Sequence, residues 1–341
     1  MKIVFASCSN VQHFSSQPVW LRINDLAPDI LLLLGDQIYM DFGFKLFGGD
    51  LYAPAEMSLT DFAKRMYSRY RQQWGVVEFQ ALLKNRPDMR IGAIWDDHDF
   101  AWNNACGGRP GTAEEDKKHK VSDQHKCIAK ALFCQYLDTL NARVPAYPAP
   151  PFDLDNLSDP VTPDKDGIQK SFGMDGDTIR VILLDNRYYR DCLSAPAPMI
   201  MDETQWVWLE KELAGNQQLT LLCSGSTLTS AESWSKYPFS YKKLLDTVHN
   251  KKVLFLSGDI HINKFIVHDN PGNGAGQQYP LFEAISSGLA IKGYKPFKWF
   301  GPQENFGLIE VFPDKLRIDL YHNGELDESH VLDRNAWHVI A

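Results

Sequence analysis

Six short apolar runs recur along the chain, and each stops in small or polar residues. IVFA at 3–6 runs into SCSN, ILLLL at 30–34 into GDQIY, and RIGAIW at 90–95 into DDHD. IRVILL at 179–184 runs into DNRYYRD, LTLLC at 219–223 into SGST, and VLFL at 253–256 into SGDIH. Continuous apolar stretches of this length suit strands buried on both faces, because a half-exposed strand alternates. Helical spacing fills the gaps. Phe62, Met66, Tyr70, Trp74 and Val77 repeat on one face of a helix expected over 58–83, with Ser58 to Asp61 as its capping region. A second helix is expected over 114–141. A third, over 202–213, carries Trp206, Leu209 and Leu213 on one face. Asp175-Gly176 and Pro313-Asp314 are turn signals for hairpins.

Strands alternating with helices predict an α/β fold. VPAYPAPPF at 144–152 is a stiff stretch that reads as a surface crossover. Strand-ended motifs of one kind lie on both sides of it, so a single domain over 1–341 is expected. The 35 Lys and Arg against 43 Asp and Glu leave a net charge of −8. That balance disfavours long nucleic acid as a partner, which wants a basic face. No stretch approaches the ~20 apolar residues of a membrane helix, so membrane insertion is not expected. MKIVFAS reads as a first core strand and lacks the apolar region of a secretory signal, so a cytoplasmic location is expected. Six cysteines without a CxxC pair are expected to be reduced thiols.

Ligands of buried sheets gather beyond the carboxyl ends of strands, so the polar tails are where chemistry belongs. Asp96-Asp97-His98-Asp99 puts three carboxylates and an imidazole at one strand end, where they need a cation or a hydrogen-bonded network. Asp36 follows the second run with Gly35 before it and Tyr39 after it. Asp259 and His261, at i and i+2, can aim at one point. Cys8 lies two residues beyond the first run. Together these offer oxygen, imidazole and thiolate or phenolate donors, which suits a site for two cations.

SCSN, GDQIYMD, WDDHDFAWNN, LDNRYYRD, QWVWLEKEL and SGDIH, in that order, resemble the PhoD-like (alkaline phosphatase D) metallophosphatases within the calcineurin-like metallophosphoesterase superfamily. The resemblance implies a four-layer αββα sandwich with two central mixed sheets flanked by helices. It implies hydrolysis of small phosphate esters, mono- or diesters, by attack of a metal-bound hydroxide. It implies Fe³⁺ with Ca²⁺, while Mn²⁺, Zn²⁺ or Mg²⁺ also suit the donors. Cys8, Asp36, Tyr39, Asp97, Asn103, Asp259 and His261 match its metal ligands, the choice between Asn103 and Asn104 being open. His98 matches the histidine that contacts phosphate and protonates the leaving group. Arg187 is the expected phosphate clamp, the alternative being an ion pair of Arg187 or Arg190 with Asp185 or Asp191. Asp96 and Asp99 are expected to orient His98 or its loops. Competing readings are a catalytically silent metal-stabilised binding protein and a phosphodiesterase specialised for nucleotides or lipids.

Other signals carry less. Cys106, His119, His125 and Cys127 match no zinc spacing. CGGRPGT at 106–112 lacks the Lys-Ser/Thr end of a phosphate loop and reads as an exposed loop, the alternative being a lid. Ser224-Gly225-Ser226 does not complete a nucleophile elbow. The tryptophans, among them Trp206, Trp208, Trp234 and Trp299, read as core or groove wall, and 270–276 as a turn-rich loop.

Overall fold

A computed structural model describes residues 1–41, 54–157, 166–174, 176, 178–230, 233–268, 279–292 and 302–341. The first half holds β1 (Lys2–Ala6), α1 (Val19–Leu26), β2 (Ile30–Leu34), α2 (Leu59–Trp74), α3 (Val77–Asn85) and β3 (Arg90–Ile94). Then come α4 (Asp97–Phe100), α5 (Glu114–Lys117), α6 (Asp123–Ala142), β4 (Lys170–Met174) and β5 (Ile179–Leu183). After these lie α7 (Glu203–Leu213), β6 (Leu219–Ser224), α8 (Pro238–Val248), β7 (Val253–Ser257), β8 (Asn263–His268) and β9 (Leu281–Ser286). The chain closes with β10 (Ile291–Lys292), β11 (Pro302–Gln303), β12 (Phe306–Val311), β13 (Lys315–His322), β14 (Glu325–Asp333) and β15 (His338–Val339).

These strands make two mixed sheets of seven and six strands, plus the small β10–β11 ladder. The first sheet runs β15-β14-β13-β12-β1-β2-β3, and the second β4-β5-β6-β7-β9-β8. β1, β2 and β3 are parallel, as are β5, β6, β7 and β9. Period-two alternation builds the layers. Ile3, Phe5, Leu32 and Leu34 face Val181, Leu183, Leu221 and Leu254 in one core between the sheets. Val4, Ala6, Leu31 and Leu33 pack on α1, α2 and α6 through Trp20, Ile23, Phe62, Tyr70 and Phe133. Ile182, Leu222 and Phe255 pack on α7 and α8 through Trp206, Leu209 and Leu244. The result is an αββα sandwich. Each of the larger apolar side chains among them contributes roughly 1.5–3 kcal/mol by leaving water. Both faces of these strands are covered, which is why the runs do not alternate.

The long helices break where the sequence pattern continues. The helix expected over 58–83 stops at Gly75 and restarts at Val77 after Val76 turns extended. Val77 consequently faces solvent and is 77% exposed. The helix expected over 114–141 is interrupted at 118–122, and Ser122 caps α6 by accepting the His125 N–H. Hairpins form where expected, β4 against β5 and β12 against β13. Asp175, Trp299 and the 270–276 loop lie outside the described residues. β12 enters the first sheet antiparallel beside β1, so the last third of the chain completes the sheet the first third begins.

The cysteine expectation needs correction. Cys106 and Cys192 form a disulfide, their Cα atoms 5.3 Å apart, while Cys8, Cys127, Cys134 and Cys223 stand outside disulfides. Scattered spacing gave no sign of it, because the partners meet only after folding.

Candidate metal centre

β1, β2 and β3 end beside the ends of β7 and β9, and the tails of both sheets meet there. Two glycines permit that approach. Gly35 has φ +96°, and a Cβ on it would sit 2.5 Å from the Asp96 Cβ. A Cβ on Gly225 would sit 2.6 Å from Asp96 Oδ1. Cys8, Asp36, Asn104, Asp259 and His261 are five of the ten described non-glycine residues with positive φ. Such backbone costs energy and persists where surroundings over-determine it, commonly at functional sites.

Within this corner, Asp36, Asp96, Asp97 and Asp259 bring carboxylate oxygens within 4.8 Å of one another. Asp36, Asp97 and His98 form an overlapping group under the same limit. The Cys8 thiol is 3.3 Å from Asp36 Oδ2 and the Tyr39 hydroxyl donates to the same oxygen at 3.4 Å. Tyr39 Oη also lies 3.4 Å from His261 Nε2. So Cys8, Asp36, Tyr39, Asp97, His98, Asp259 and His261 converge. Asn103 and Asn104 meet the cluster through their backbones. The Asn104 N–H donates to Asp97 Oδ2 at 2.7 Å, and the Asn103 N–H to Asp41 Oδ2 at 3.0 Å. Asn103 is exposed.

Electrostatics follow from burial. Burial pushes the Asp36 carboxyl well up, and Cys8, Asp97 and Asp96 add repulsion that His98 only partly offsets. Burial holds the Cys8 thiol up at about 11, against hydrogen bonds from Ser287 and Ser7. Burial works against charge on Asp97, but Arg187 and His98 prevail and hold it at about 2. Burial likewise opposes a charged His98, yet Asp41, Asp97 and Asp36 raise it well above the ordinary histidine value. Burial and the charge of His98 lower His261 to about 4. A carboxyl kept from ionising by burial and by neighbouring acids is the setting a cation relieves, and this donor set fits one.

Arg187 departs from the clamp expectation. Its side chain is 0% exposed, and Nε donates to Asp96 Oδ1 at 2.6 Å while Nη2 lies 3.8 Å from Asp97 Oδ2. Its guanidinium lies against the acidic cluster from within the protein. Neither alternative partner takes that guanidinium. Asp185 instead accepts the Arg187 and Tyr188 N–H groups and the Trp95 indole, and Asp191 pairs with Arg109. Asp99, 0% exposed, accepts the Asp96 N–H at 2.6 Å and the Gln37 N–H at 3.1 Å, tying two strand ends together.

Two residues escaped the sequence reading. Asp41 Oδ1 lies 2.6 Å from His98 Nδ1, so Asp41 holds the imidazole. Its signal was available as the last residue of GDQIYMD. Ser287 touches both Cys8 and the backbone of His261, and no motif marked it. The 106–112 loop is fastened down. The Cys106–Cys192 disulfide, the Gly107 N–H to Arg187 O bond at 3.0 Å and the Arg109–Asp191 pair hold it against the loop after β5. Cys106 is in that disulfide, and the His125 ring packs edge-on to Phe62, so no zinc cluster forms from those residues.

Two facing mixed sheets with acidic, imidazole and sulfur donors at their shared strand ends are the arrangement of a metal-dependent phosphoesterase. A family model described as PhoD-like phosphatase matches residues 3–289. The chain belongs to the PhoD-like phosphatase family, and it is a metal-dependent phosphoric ester hydrolase. Among solved structures, PhoD superposes with a TM-score of 0.67 at 15% identity, covering 100% of this chain and 71% of that one. Zinc-complexed Vps29 from Entamoeba histolytica gives 0.34 at 10% identity, covering 98% and 100%. Yfce, a phosphoesterase from E. coli, gives 0.28 at 12%, covering 100% and 97%. The last two overlap too loosely to bear on the argument. No curated protein matches the sequence. Among the described residues no helix is long and apolar enough to cross a membrane.

Proposed function

We propose that Cys8, Asp36, Tyr39, Asp97, Asp259 and His261 hold two cations, with the Asn103-Asn104 segment at their rim, and that small phosphate mono- or diesters are hydrolysed there. The observation that carries this is the meeting of carboxylates from both sheets within 4.8 Å in a buried corner. Sulfur, phenol and imidazole beside Asp36 favour Fe³⁺ on one side, and a carboxylate-rich remainder favours Ca²⁺ on the other. Mn²⁺, Zn²⁺ or Mg²⁺ are the alternatives. Bound cations supply Lewis-acid polarisation of phosphoryl oxygens and activation of water.

The chain's own residues do the rest. His98, 9% exposed, sits at the accessible edge, held by Asp41 and kept protonated by the surrounding acids. That suits it to stabilise charge on phosphate and to give a proton to the leaving oxygen. Arg187 and Asp99 hold Asp96 and the strand ends in place. We read 1–341 as one domain, because β12–β15 are strands of the sheet that carries Cys8 and Asp36. Elemental analysis of protein purified without chelator, paired with p-nitrophenyl phosphate and bis-p-nitrophenyl phosphate assays, tests the reading. Asp36→Asn or His261→Ala is expected to lose cation and turnover while keeping the circular dichroism spectrum. Full activity in either variant would overturn the assignment.

A further inference from the structure

The Cys8 thiol and the His261 backbone come from different sheets, yet one hydroxyl joins them. Ser287 Oγ accepts the His261 N–H at 2.9 Å and donates to Cys8 Sγ at 3.2 Å. Ser287 follows β9 and is 0% exposed. Its own backbone is pinned at both ends. Its N–H donates to Ile262 O at 3.2 Å, and its carbonyl accepts from Asn305 Nδ2 at 2.6 Å. Asn305 is in turn 2.7 Å from His322 Nδ1 through Oδ1. Cys8 and His261 both have left-handed backbones, φ 63° and 55°, which side-chain-bearing residues adopt at a cost.

We infer that Ser287 is a positioning residue that presets the sulfur of Cys8 and the backbone of His261 for one cation before that cation arrives. This rests on the metal-centre reading proposed above. The hydroxyl has one proton. One lone pair receives the His261 N–H, and because the Cys8 thiol is itself aimed at Asp36 Oδ2, the hydroxyl proton is directed at sulfur. A hydrogen bond to sulfur makes it a weaker electron donor to a cation and fixes its direction, as outer partners of metal ligands do. The same atom fixes the turn that carries His261. One side chain therefore couples the soft donor of the first sheet to the imidazole of the second.

Co²⁺ alone is the probe, titrated into metal-free full-length protein. Wild type is expected to develop a near-ultraviolet sulfur-to-cobalt charge-transfer band. Ser287→Ala is expected to bind Co²⁺ about 10-fold more weakly and to move that band to lower energy, and to lower the metal-free melting temperature by a few degrees because the His261 N–H loses its acceptor. Ser287→Thr, which keeps the hydroxyl, is expected to restore both band and affinity. An unchanged band and affinity in Ser287→Ala overturns the inference, as does a lowered melting temperature with the band unmoved. If Ser287→Ala does not fold, the Thr variant decides: wild-type behaviour supports the inference and alanine-like loss overturns it. Absence of any sulfur-to-cobalt band in wild type defeats the metal-centre reading itself, and is thereby distinguished from failure of the Ser287 role alone.

Discussion

Replacing Arg187 by methionine separates the two roles considered for it. The guanidinium is fully buried, with a 2.6 Å bond to Asp96 and a 3.8 Å approach to Asp97. Asp96 Oδ2 already accepts no hydrogen bond from the protein. In Arg187→Met the Asp96 carboxylate loses its charged partner in a dry setting, and Asp97 loses the charge that keeps it ionised. Breaking a buried pair from one side costs about 3–5 kcal/mol. At roughly 2 °C per kcal/mol for a chain of this size, the melting temperature should fall by roughly 6–10 °C. The assay is thermal unfolding followed by circular dichroism in chelator at neutral pH. The double variant Asp96→Leu with Arg187→Met is expected to recover at least half of the loss, since Asp96 then leaves no unpaired charge and Asp97 keeps His98 beside it. A phosphate clamp predicts the opposite pattern: KM rises about tenfold with stability unchanged. A melting temperature within about 1 °C of wild type would refute the structural role.

Other predictions are independent of that one. Asp41→Asn is expected to lower kcat by about 10- to 100-fold and to lower the histidine-dependent limb of the pH–rate profile, because Asp41 leads the charges that raise His98. Burial, with Lys292 nearby, lowers His13 to about 4. The folded state thus takes up fewer protons than the unfolded state between about pH 4 and 6.5, so His13 removes stability as pH falls through that window. Nuclear magnetic resonance titration should find His13 neutral at pH 5, and His13→Gln should flatten the acid side of the melting curve. Cys106→Ser with Cys192→Ser opens a link across 86 residues, for which loop entropy gives an upper limit of roughly 4–5 kcal/mol. The bonds of Gly107, Gly108 and Arg109 to the facing loop remain, so half that loss or less is expected in denaturant titration.

Individual residues show how far the sequence could be read. The β2 run was legible to its last residue, because both faces of that strand are buried and five consecutive apolar side chains result. The break at Gly75 was not, since Val77 fits the helical period and only the turn of Val76 takes it to solvent. Asp36 announced itself by following a buried strand. Asp41, five residues on, did not, because its role depends on His98 arriving from another strand end.

Short-range chemistry therefore came from the sequence alone: which runs are buried strands, where they end, and that thiol, carboxylate and imidazole stand at those ends. Strand burial and backbone turns are local properties, so the residue order carries them. Tertiary structure decided which of those groups meet. It turned Arg187 inward onto Asp96, paired Cys106 with Cys192, gave His98 its partner Asp41, and placed Ser287 between Cys8 and His261. Those are contacts between residues up to 279 positions apart. Spacing along the chain says nothing about such distances until two sheets close face to face and bring their strand ends to one corner.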